Sequence, residues 1–150
     1  MSPQTIRIIV TAVLFLHGVA HGRAFLALLA QAASFGAAPI LPVRSWLIPS
    51  LSMRAAGIIA SIFWLLSTIG FIAAALSFWG TLLSGGDWRQ LAVISAIIST
   101  VGIALFSGIW PGAPSRRLSN LDTVIALVVN LAVFVALLGM QWPPYDMFSR

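Results

Sequence analysis

The chain has no cysteine, no lysine and no glutamate, and each absence removes a class of chemistry. Without thiols there are no disulfides, no thiol relay and no thiolate metal site, which excludes thiol oxidoreductases, the vitamin K reductase type included. Without glutamate, the membrane carboxylate that a small proton-coupled exporter needs is missing, so proton coupling would have to run through a histidine or Asp122. Asp87, Asp122 and Asp146 are the three acidic residues, set against eight arginines. The resulting charge of +5 is too sparse for a nucleic-acid surface and suits loops that face anionic headgroups. Basic residues that are all arginine, in a chain rich in alanine and glycine, point to a GC-rich bacterial genome.

Apolar surface is what the sequence has in excess. Of 150 residues, 60% are hydrophobic and 7% charged, more apolar area than one small core could hide, so lipid must cover the remainder. The reading is an all-α integral membrane protein, multi-pass, of the bacterial inner membrane. A membrane-crossing helix needs about 20 predominantly apolar residues, and stretches at 6–33, 55–83, 91–109 and 121–140 satisfy that. They predict a single domain, a left-handed bundle of four antiparallel transmembrane helices. "SGGDWR" at 84–89, "WPGAPSRR" at 110–117 and "QWPPYDMFSR" at 141–150 punctuate or end them. The longer connection at 34–54, with Pro39, Pro42, Pro49 and Trp46, reads as a segment lying along the interface. Trp46, Trp79, Trp88, Trp110, Trp142 and Tyr145 stand near segment ends, where amphipathic rings favour headgroups, while Trp64 does not.

"GVA" at 18–20 carries small residues where a signal peptidase reads, but "AFLALLAQAA" resumes the apolar run at once, so the segment reads as a retained span. Arg44, Arg54, Arg116 and Arg117 fall on one side, with Arg7, Arg89 and Arg150 on the other, a split that leans towards termini outside. Small residues at helical spacing predict close helix contacts: Gly18 with Gly22, Gly57 with Ser61, Gly70 with Ala74, and Ala92, Ala96, Thr100 and Ala104.

One polar patch interrupts the first apolar run, "FLHGVAHGRAF" at 15–25. His17 and His21 lie one helical turn apart and project from nearly the same face, whereas Arg23 is turned away and within snorkelling reach of the interface. Counting rise per residue from that interface puts Asn130 at the depth of His21, with Ser61, Trp64, Ser99, Thr100 and Gly102 nearby. The expected result is a polar layer in one half of the bundle, with His17, His21, Arg23, Trp64, Asp122 and Asn130 as candidate site residues. Both imidazoles should face inward, because hydrocarbon offers neither donor nor acceptor. Arg23 and Asp122 should meet at one end.

This layer could be interhelical glue, a ligand or proton site, or a metal or cofactor site. Zinc would want three or four ligands, and beyond the two histidines only an aspartate such as Asp122 is to hand. One haem could not take both histidines, since they leave one helix on the same side. Serines, histidines and Asp122 make a composition and not a triad. No metal, cofactor or catalytic residue is therefore assigned, and the balance leans away from an enzyme.

The motif His17, Gly18, His21, Phe25 resembles the first helix of a group of small uncharacterised bacterial four-helix membrane proteins that share a His-Gly-x-x-His pattern. The similarity extends to Arg54 and Gly57, Asp87 and Trp88, Trp110 and Pro111, and Asn120, and departs at Ala24, where relatives carry glycine, and in the longer first loop. DoxX-type proteins are similar more distantly, in the four-helix layout and a glycine-marked first helix. The resemblance implies a four-helix membrane fold and no particular activity. Two functions follow: a structural or accessory membrane component whose partners are the bilayer and a second copy or larger complex, or a protein that binds or transports a small molecule or proton, a membrane redox subunit among them.

Overall fold

The computed structural model describes residues 1–33, 43–82, 87–106, 110–144 and 147. Among them the architecture is all-helical: α1 (Pro3–Ala33), α2 (Met53–Phe78), α3 (Trp88–Leu105) and α4 (Arg116–Phe134), the last continued by a π-helical turn at Val135–Gly139. All four are long and apolar enough to cross a membrane, the architecture of a multi-pass membrane protein.

Helix ends follow local chemistry. Pro3 opens α1, where its missing N–H costs nothing. Ser52 and Ser115 cap α2 and α4, accepting from the backbone N–H of Ala55 and Leu118 at 3.2 and 3.3 Å. α4 thus begins at Arg116, ahead of the apolar run at 121, because its first turn, Arg116 to Ser119, is polar and invisible to hydropathy. α2 closes at Phe78, short of 83: Trp79 caps it and Gly80 follows at φ +69°, a turn backbone that ends the helix. Ser115→Ala should cost about 1 kcal/mol of stability and speed amide exchange at 116–119, with the other helices unaffected. Exchange unchanged from wild type would show that water caps α4 as well as the serine does.

Neighbours in sequence pack side by side and antiparallel. At the contacts of α1 with α2 and of α2 with α3, backbones approach closely. A Cβ on Gly18 would lie 2.9 Å from Ile72, one on Gly22 would lie 3.3 Å from Thr68, and Gly70 faces Ser95 directly. Ala74, Ala92 and Ala96 are fully buried along the same seams. Among the described residues nothing lies near Gly57, so there the pair it forms with Ser61 is not a packing motif. α4 joins more loosely, with large residues such as Val124, Val128 and Leu131 turned outward. The buried side chains form two clusters, one around Trp64, Phe106 and Trp110, the other around Phe71, Phe78 and Trp88.

Part of the first connection, 34–42, lies outside the described residues, as do Tyr145 and Asp146. From Val43 onward the connection is non-helical up to Met53. Val43 and Ser45 are buried, and the Trp46 indole donates to the Ala104 carbonyl near the end of α3. This bond ties the segment to the end of α3.

Candidate functional site, a buried histidine and asparagine layer

His17, His21, Ser99 and Asn130 are all buried, and they come from three helices to one layer about a helical turn deep. The His17 Nε2 lies 3.0 Å from the Asn130 Oδ1. An amide oxygen only accepts, so His17 donates and carries its proton on Nε2. The Asn130 amide nitrogen donates to Ser99 Oγ at 2.8 Å and to Thr100 Oγ1 at 3.1 Å, using both of its hydrogens. His21 Nε2 stands 3.0 Å from Ser99 Oγ and 3.3 Å from His17 Nε2. Because His17 already presents a proton there, His21 Nε2 must be the bare, accepting nitrogen. Ser99, which receives from Asn130, donates its own hydroxyl hydrogen to it. The polar groups therefore close a ring in space, while the donations run one way, from His17 to Asn130, Asn130 to Ser99 and Ser99 to His21, whose accepting Nε2 lies back against the His17 N–H.

With Nε2 accepting, His21 holds its proton on Nδ1, and that atom is buried without a hydrogen-bond partner among the described residues. The Trp64 indole nitrogen, a donor only, is buried without a partner too. Aromatic rings wall this region. His21 is stacked with Phe71 at 5.9 Å and lies 5.2 Å from the Trp110 ring and 6.1 Å from the Trp64 ring, while His17 meets Phe71 edge-on at 4.6 Å.

Helical rise puts Asn130, Ser99 and Thr100 near the depth of His21; in the structure Ser99 bonds His21, Asn130 bonds His17 and Ser99, Thr100 bonds Asn130, and Trp64 lies on the flank of His21. Ser61 is elsewhere, its hydroxyl spent on the Ile58 carbonyl of its own helix. Arg23 is exposed and Asp122 half-buried. They do share one half of the bundle. Ala27, one turn beyond Arg23, packs on Gly112, and Ser119, just before Asp122, accepts from the Trp110 backbone N–H. Among the described residues no ion pair joins them, and neither enters the ring. The outward turn of Arg23 on α1 explains this, since its stem can reach the interface without an internal partner.

Trp110 was missed as a wall of the site, being assigned to the headgroup belt. It is 5% exposed because the turn after it, with Gly112 at φ +78°, folds the loop inward over α1. Trp88 is buried likewise, whereas Trp46, Trp79 and Trp142 are exposed or nearly so. The opposite end of the bundle holds cations that the sequence assigned only to a side of the membrane. Arg7 lies over the Phe78 and Trp79 rings at 5.8 and 5.4 Å, and Arg89 donates to the Gln141 and Pro143 carbonyls. Together they tie the start of α1 to the end of α2, and the start of α3 to the C-terminal segment.

Among the described residues no three His, Cys, Asp or Glu side chains gather as a metal-binding group. Comparison with protein-family models, curated proteins and solved structures finds no match for this chain.

Proposed function

We propose that this chain is a structural or accessory component of the bacterial inner membrane, akin to the His-Gly-x-x-His four-helix group, and that its histidine layer is an interhelical clamp. The observation that carries this reading is the closure of the ring. Its bonds run among side chains gathered within about one helical turn, so the layer lies across one half of the bundle and does not string polar groups from face to face. A proton path between the two membrane faces needs polar groups strung along the axis, whereas a clamp needs them gathered at one depth.

Reconstituted protein should leave an imposed pH gradient as intact as empty liposomes do. His21→Asn should keep the fold, because an amide can take over the hydrogen bond from Ser99. A proton leak in the wild type that His21→Asn abolishes would overturn the clamp. It would establish the second reading, a proton or small-molecule site, which His21 Nδ1 and Trp64 Nε1, both without a hydrogen-bond partner among the described residues, favour.

A further inference from the structure

A cavity of about 300 Å³ opens where the first connection meets α2, lined by Arg44, Ser45, Pro49, Leu51 and Met53. Its wall is divided. Arg44 supplies a cation with a fork of N–H donors, while Pro49, Leu51 and Met53 supply apolar surface. Beside the cavity, Trp46, Leu47 and Ile48 are exposed by 63%, 57% and 45%. Three consecutive large apolar side chains facing water would be costly, but at a bilayer surface they seat the segment at the boundary of headgroups and acyl chains. The bond from Trp46 to Ala104 and the burial of Val43 and Ser45 hold it there.

Charge at this end is one-sided. Arg44, Arg54, Arg116 and Arg117 are all exposed, and α2 has no acidic residue in its first turn. Among the described residues Asp122, half-buried on α4, is the acidic side chain of this half. We propose that the cavity holds the phosphate of an anionic phospholipid, with Arg44 on the phosphate and the glycerol and upper acyl region against Pro49, Leu51 and Met53. A cation beside an apolar wall, at headgroup depth, matches a phosphate with hydrocarbon attached. A free phosphate would leave the apolar wall unused. The proposal is independent of what the histidine layer does.

Native mass spectrometry of the purified, delipidated protein, incubated with phosphatidylglycerol or phosphatidylcholine, tests this. Wild type should retain phosphatidylglycerol in preference to phosphatidylcholine. Arg44→Gln should lower that preference about fivefold, the worth of one cation near the membrane surface, and Arg44→Lys should keep most of it. Because Arg44 is exposed, both variants should fold, with unchanged helical circular dichroism. Equal retention of the two lipids by wild type overturns the site without any variant. An undiminished preference in Arg44→Gln overturns the role of Arg44, and displacement of phosphatidylglycerol by inorganic phosphate would show a free-anion site instead.

Discussion

Asn130→Leu should destabilise the protein by about 2–4 kcal/mol, although leucine is the more lipid-compatible residue. The amide makes three side-chain hydrogen bonds, to His17, Ser99 and Thr100, and reaches two other helices through them. Interhelical hydrogen bonds in membranes average about 0.6 kcal/mol and reach about 1.7, because the separated helices find other partners. Removing Asn130, however, strands the buried His17 N–H, which adds a desolvation cost. Val128→Leu, on the outward face of the same helix, is the control and should be neutral, as Val128 is exposed. Unfolding of detergent-solubilised protein by titration with a denaturing detergent gives both values. If the Asn130 variant stayed within about 0.5 kcal/mol of wild type, the ring would not be what holds α4, since that is the scatter of ordinary surface substitutions.

Gly102→Leu should cost about 3 kcal/mol or more, by overpacking a seam with no slack. The first added atom would already lie 2.8 Å from Trp64 Cζ3 and 2.9 Å from Phe63 Cβ. The Phe63 Cβ is fixed to the backbone of α2, so α2 and α3 would have to separate. Trp64 would also be pushed towards His21 and Trp110. Gly57→Leu provides the contrast. Among the described residues nothing lies within 4 Å of a Cβ at that position, and replacing glycine in a helix with leucine gains up to about 1 kcal/mol. Opposite signs for the two variants are the expected outcome in the same unfolding titration. Equal, small effects would show that the α2–α3 contact yields easily.

Why Asn130 was legible in the sequence and Trp110 was not has a physical explanation. Depth in a bundle of straight antiparallel helices follows from rise per residue, so the level of His21 could be carried from α1 to α4 and α3 by counting. Such counting stops at helix ends. Trp110 lies in a turn, and its inward course depends on a positive-φ glycine and on Ser119 receiving its backbone N–H, neither of which has a periodicity to read. The start of α4 escaped for a related reason, its first turn being polar and held by a serine cap. Ser61 and Ser99 show the limit within helices. Both are serines near the same level, but one faces its own backbone and the other faces the interior, a difference of rotation about the axis that hydropathy does not encode. The missing contact between Arg23 and Asp122 is of the same kind: both belong to one half of the bundle, and azimuth keeps them apart.

The contrast between close glycine and alanine seams among α1, α2 and α3 and the polar attachment of α4 bears on how the chain is assembled during synthesis. Helices enter the membrane in chain order, and the first three can settle against one another through backbone proximity before the fourth is made. Until α4 arrives, the His17 N–H and the Ser99 and Thr100 hydroxyls lack the amide that joins them. The unfinished bundle thus presents a template of one donor and two acceptors with a defined spacing. Only a helix that brings a carboxamide to that depth, turned to that side, completes it. The last step of assembly thus has a polar requirement that the glycine and alanine seams lack: Ala126 and Val133 give α4 apolar contact with the bundle, and Asn130 adds hydrogen bonds that set its depth and rotation.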